Sequence, residues 1–354
     1  MAPHSLYGWA VSDGEVPRIR FQIPPEPSQD GVPQEIPFRV QAPPDPCRSL
    51  RYDYANDLTY AQTMDRDGRL RQVLEVSPCP SDPRPARLLQ CDNTTFSAVA
   101  FGPATGGPAP LYAADPANAR LYQLGPPAGT GAQASRNGTW TAFHDLEGQD
   151  IWAQYSIADL AVDVIEGHGN EPVSTAFILS GPTFQEQEET YLLIKPLQDQ
   201  EGPAPEVLKI PAQAQNIGVD PYQSYVWLSG ANARLCRVYL ESSHQVEQLD
   251  FTCAGPAVFM RARDTVWVVF MANGTRMRGV DTTGRQDSFS IAAEETSVGD
   301  PLIATGGGDR AWTVSRTDHG PSLYEWDITQ GTCTDVGVLS VPYDIVLAPD
   351  FDYR

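Results

Sequence analysis

The chain reads as all-β, a seven-bladed β-propeller of four-stranded blades whose ring is closed by the C-terminal strand joining the N-terminal blade. Three observations lead there. A short run centred on an aromatic residue and followed by a Gly, Asn or Asp turn recurs seven times. A short apolar run precedes each copy but the first. The missing one stands at residues 344–347, a few residues before the last residue. Short strands recurring at roughly 40–65 residues suit blades, because one small sheet buries its faces only against neighbouring copies.

The clearest unit spans 216–239, NIGVDPYQSYVWLSGANARLCRVY. Ile217 and Val219 make a short first strand, and Asp220-Pro221 breaks it. Tyr225-Val226-Trp227-Leu228 is a second, Gly230-Ala231-Asn232 turns the chain, and 235–240 is a third. Aligned on Trp9, Tyr60, Tyr112, Phe177, Trp227, Trp267 and Trp312, the copies are 51, 52, 65, 50, 40 and 45 residues apart. Each is read as the second strand of a blade. The first strands are expected at 50–54, 96–101, 160–165, 217–219, 257–260, 301–304 and 344–347. The copy at Trp9 has no first strand before it, and 344–347 has nothing after it. Pairing the two closes the ring and removes two sheet edges.

Some segments fall outside the pattern, though the whole of 1–354 reads as one domain. Residues 24–46 hold eight prolines and read as an extended connection with a strand near 36–40. Residues 125–136 read as a flexible loop, 137–155 as a strand pair with a short helix, and 182–190 as an exposed hairpin tip.

Composition agrees with many turns between short strands. The 354 residues include 32 Pro and 29 Gly, and the seven Trp and fourteen Tyr argue for a packed core rather than disorder. With 24 basic against 45 acidic residues the net charge is −21, a field that disfavours nucleic acid and anionic membrane surfaces. No apolar run approaches 18 residues, so membrane insertion is not expected.

The units resemble the YVTN, NHL and WD-type propeller repeats. The closest resemblance is of IGVDPYQSYVWLSGANARLCRVY to the repeat of YVTN-like lactonase propellers, and LYAADPANARLYQL at 111–124 is similar to its second half. The resemblance implies a propeller fold. It carries over no catalytic residue, because no local motif matches one.

Six cysteines and three sequons bear on compartment. No spacing suits a zinc site. Cys236 and Cys253 flank a hairpin, Cys79 and Cys91 close a Pro-rich loop, and Cys47 and Cys333 remain as a long-range pair. The sequons are at Asn93, Asn137 and Asn273. Together these favour a secreted or surface-exposed, disulfide-bonded glycoprotein, with a cytoplasmic protein holding free thiols as the alternative.

The loops from second to third strands would share one face, the usual ligand face of a propeller. Candidates there are Asp65, Asp67, Asp115, Asn118, Asn232, Asp318 and His319, with His168 between glycines nearby. The same residues build tight turns without any ligand. No Gly-x-Ser-x-Gly, Walker or dinucleotide motif is present, and no cofactor is expected, although ringed Asp and Asn oxygens would suit Ca2+. The expected function is a non-enzymatic module binding a protein or glycan. The alternatives are a lactonase-type or hydrolase-type enzyme with a divalent cation in the channel, and a structural component of a coat or particle.

Overall fold

The computed structural model describes residues 5–12, 15–22, 34–36, 47–53, 58–64, 70–76, 87–90, 96–102, 110–117, 120–124, 140–145, 156–166, 172–181, 190–197, 205–220, 224–240, 244–262, 265–282, 288–293, 303–306, 309–317, 320–338 and 345–347. The regular elements among them are all strands, and they pair into seven four-stranded antiparallel sheets.

The first sheet runs Ile345–Leu347, Ser5–Ser12, Glu15–Gln22, Gln34–Ile36. The second is Cys47–Asp53, Leu58–Met64, Leu70–Val76, Arg87–Gln90. The third is Ala98–Phe101, Leu111–Asp115, Arg120–Leu124, Trp140–Asp145. The fourth is Ser156–Glu166, Pro172–Gly181, Thr190–Pro196, Glu206–Ile210. The fifth is Asn216–Val219, Tyr225–Ser229, Ala233–Tyr239, Val246–Cys253. The sixth is Val258–Ala262, Thr265–Asn273, Arg276–Asp281, Ser288–Ala292, and the seventh Ile303–Gly306, Arg310–Thr317, Gly320–Asp327, Thr332–Val338.

Each of the seven aligned aromatic residues lies on the second strand of its sheet. In the first sheet, Tyr7, Gly8 and Trp9 pair with Leu347, Val346 and Ile345. The strand expected near 36–40 is described at Gln34–Ile36, and 37–40 lie outside the described residues. So do 125–136, 182–189 and the ends of 137–155, of which the strand Trp140–Asp145 is described.

The core lies between sheets. Alternate residues of a strand face opposite sides, so a strand with neighbours on both sides is apolar throughout. On the second strand of the fifth sheet, Val226 and Leu228 pack with Phe177, Leu179 and Leu192 of the fourth sheet. Trp227, between them, packs the other way, with Val268 and Phe270 of the sixth. The same arrangement joins the third sheet to the fourth and the sixth to the seventh.

Polar ties supplement this packing. Ile217 N–H donates to Asp159 Oδ2 at 2.9 Å, joining the first strands of the fourth and fifth sheets. Ala257 N–H donates to Ser229 Oγ at 2.8 Å, joining the fifth to the sixth. At the outer side, Gln248 Nε2 donates to Pro211 O at 2.7 Å, and His244 Nδ1 stands 2.6 Å from Glu206 Oε2. The first strands of the third and fourth, fourth and fifth, sixth and seventh, seventh and first, and first and second sheets also lie against one another.

Candidate functional site

In each of the seven sheets the second strand turns back into the third as its antiparallel neighbour. Two of these turns are described whole, in the fifth and sixth sheets, and that of the third sheet in part, and each shows why its residues occupy a turn. Asp115 is 2% exposed, and its Oδ1 accepts the N–H of Ala117 at 3.0 Å. A side chain that closes its own turn this way is an Asx-turn residue. Asn232 is exposed and sits at φ 58°, the left-handed conformation that Asn tolerates better than most residues. The turn is closed by Ala233 N–H donating to Gly230 O at 3.1 Å.

Asn273 is exposed at the tip of the sixth sheet. Its Oδ1 accepts both the N–H and the hydroxyl of Thr275, at 3.0 and 3.1 Å. The third residue of that sequon therefore folds back onto the first, and Asn273 is the one sequon asparagine among the described residues. Asp65, Asp67, Asn118, His168, Asp318 and His319 lie outside the described residues, as do Cys79, Cys91, Asn93 and Asn137. Among the described residues no group of three His, Cys, Asp or Glu side chains comes together to hold a metal ion.

Two disulfide assignments require correction. Cys236 and Cys253 are free thiols on neighbouring strands of the fifth sheet. Cys236 packs with Val226, Val238 and the fourth sheet, whereas Cys253 packs with Trp227 and the sixth. Their side chains leave opposite faces of the sheet, so a bond would have to pass through the backbone. Cys333 is also free. It lies on the fourth strand of the seventh sheet against the cluster shared with the sixth, whereas Cys47 begins the first strand of the second. Burial pushes the Cys236 thiol up to about 11 and those of Cys253 and Cys333 up to about 12, so all three are poor nucleophiles.

Several residues with structural weight were not named as site candidates from the sequence. Asp220 is 1% exposed, and its two oxygens accept the N–H groups of Ser224 and Tyr225, at 3.3 and 2.7 Å. The signal was present in the Asp-Pro step. Asp159 is buried, accepting Leu160 N–H on Oδ1 as well as Ile217 N–H on Oδ2. Nothing in a run of alternating residues announces that role. Lys195, one of two lysines in the chain, is buried on the third strand of the fourth sheet, and desolvation holds its pKa below the ordinary lysine range.

No protein-family model matches the chain, nor does any curated protein. Solved structures do match, over nearly the full length. A protein from Lactobacillus plantarum superposes with a TM-score of 0.60 at 14% identity, covering 98% of this chain and 99% of its own. A proposed 6-phosphogluconolactonase from Bacteroides fragilis gives 0.59 at 7% identity, covering 97% of each chain. Another, from Bacteroides uniformis, gives 0.52 at 14% identity over 97% of this chain and 98% of that one. These neighbours have β-propeller folds of the lactonase-like kind, and the likeness at such low identity is one of fold.

Proposed function

We propose that the seven sheets are the blades of one closed propeller, with Ile345–Leu347 as the innermost strand of the blade begun at Ser5. On this reading the protein is a binding module that holds a protein or glycan ligand at the end where second strands turn into third strands. The observation that supports it is the shared position of the Asn232 and Asn273 tips, both exposed, on adjacent sheets tied through Ser229 and Ala257. Tips held by a rigid scaffold present polar groups at low entropic cost, which favours recognition.

A second reading, a lactonase-type hydrolase, is favoured by the two Bacteroides neighbours named above. Fold alone does not choose, since one propeller scaffold hosts both uses. One paired experiment does. The protein is offered to a glycan array, and in parallel a panel of sugar lactones, including 6-phosphogluconolactone, is followed for ring opening. Saturable glycan binding without turnover, weakened by Asn232→Gly combined with Asn273→Ala, supports the binding module. Ring opening above the buffer rate, with no glycan bound, replaces it with the hydrolase.

A further inference from the structure

Between the fifth and sixth sheets two arginines stack on aromatic rings in matching fashion. Arg237, on the third strand of the fifth sheet, places its guanidinium carbon 4.5 Å from the centre of the Tyr225 ring and 5.6 Å from that of Trp227. Arg278, on the third strand of the sixth, lies 4.5 Å from the centre of the Phe251 ring, which belongs to the fourth strand of the fifth sheet. Their charge partners differ. Arg237 donates from Nε to Glu247 Oε2 at 2.8 Å, and its Nη2 stands 2.7 Å from the same oxygen. Arg278 makes no ion pair and no side-chain hydrogen bond among the described residues, and its Nε is buried.

The neighbours of Arg278 are polar and open. Ser290 lies directly opposite it on the fourth strand, and Arg276, two residues before it on the same side of the strand, donates from Nη1 to Ser290 Oγ at 3.0 Å. Both Arg276 and Ser290 are exposed. A guanidinium carries five donors and cannot shed its charge, so stacking it on a ring without an acceptor leaves a desolvation cost uncompensated. The chain holds 45 acidic residues against 24 basic ones, yet among the described residues a carboxylate meets Arg237 and none meets Arg278.

The geometry points to an oxyanion site on the flank of the sixth sheet, built by Arg278 with Arg276 and Ser290 against the Phe251 ring, that takes the phosphate or carboxylate group of a small ligand. The planar fork of Arg278 matches either group, and Arg276 adds a second positive charge beside it. The hydroxyl of Ser290 offers a further donor. Phe251 walls one side, so the anion is held where water screens it less than at an open surface. The site starts immediately after the Thr275 turn, beside the loop end considered above, but does not depend on that end binding anything.

The test follows the side-chain Nε–Hε signal of Arg278 by NMR in the 15N-labelled full chain. Inorganic phosphate and acetate are titrated separately, with chloride as the control at matched ionic strength. A saturable shift with phosphate or acetate and none with chloride supports the site, and the anion that acts tells phosphate from carboxylate recognition. Arg278→Gln is expected to weaken the same anion at least tenfold by calorimetry. Arg310→Gln, at an arginine already engaged by Glu325 at 3.2 Å, leaves it unchanged. No saturable shift, an equal shift with chloride, or full affinity in Arg278→Gln overturns the proposal. The wild-type titration decides alone if the variant does not fold.

Discussion

At the scale of single residues, the described polar groups mostly serve the backbone. Asp115, Asp220 and Asn273 each accept backbone N–H groups in their own turns, and Asp159 accepts one from the next sheet. The cysteines behave as small apolar residues. An ordinary thiol, with a pKa of about 8.5, is roughly one-quarter thiolate at pH 8. Thiols pushed up to about 11 and 12 are ionised there to about one part in a thousand or less. Cys236, Cys253 and Cys333 should therefore resist alkylation in the native protein at pH 8 and label fully in denaturant, as read residue by residue by mass spectrometry. The pKa of each is raised on folding, so its contribution to stability is complete below about pH 8.5 and is lost as pH climbs toward the native values. A denaturation midpoint that holds level from pH 8 to 10.5 would contradict this account.

At the scale of elements, much of the pattern was legible in the sequence. The seven aromatic-centred runs are second strands, and the six internal first strands overlap the apolar runs expected for them within a few residues. Period-two burial and Gly/Asn/Asp turns are local signals, so they survive in sequence form. Sidedness did not. Cys236 and Cys253 bracket one hairpin, but Cys253 pairs with Ala233, three residues before Cys236, so strand alternation puts the two side chains on opposite faces. Which residue stands opposite which across a hairpin leaves little trace in composition. Nor was the role of Asp159 legible, because its partner Ile217 N–H belongs to another sheet, far away in the chain.

Two glycines record close approaches, Gly218 between the fifth and sixth sheets and Gly230 against the segment that leads into the fifth. A Cβ on Gly230 would stand 2.8 Å from the carbonyl oxygen of Gln213, and one on Gly218 would stand 2.7 Å from the ring of Phe259. Backbone cannot yield as a side chain can. Both alanine variants should lose about 1–3 kcal/mol, the cost typical of an overfilled site, with Gly230→Ala the worse. Adding Phe259→Leu should recover part of the loss for Gly218→Ala and none for Gly230→Ala. Equal responses of the two variants in urea denaturation would show that neither contact is tight.

At the scale of the molecule, the three-residue strand Ile345–Leu347 covers the edge of the first sheet and lies against first strands of the second and seventh. An uncovered strand edge is a template for another chain. Removing residues 344–354 should convert a single cooperative unfolding transition into a broad one, and should shift the protein to larger species in size-exclusion chromatography. A monomeric truncated chain with an unchanged midpoint would argue that the closure proposed above contributes nothing.

The pairing of Trp9 with Ile345 also sets a timetable. A sheet that joins Ser5–Ile36 with Ile345–Leu347 cannot be completed until the later strand has been made. The intermediate sheets, made of consecutive strands, can form as they emerge. Strands Ser5–Ser12 and Glu15–Gln22 are translated before those sheets yet must wait, with an open edge, until Leu347 has left the exit tunnel. Contacts of such long sequence separation are slow to form and leave nascent chains prone to aggregate. Recombinant yield should therefore depend on growth temperature and chaperone supply more than the stability of the finished molecule would suggest.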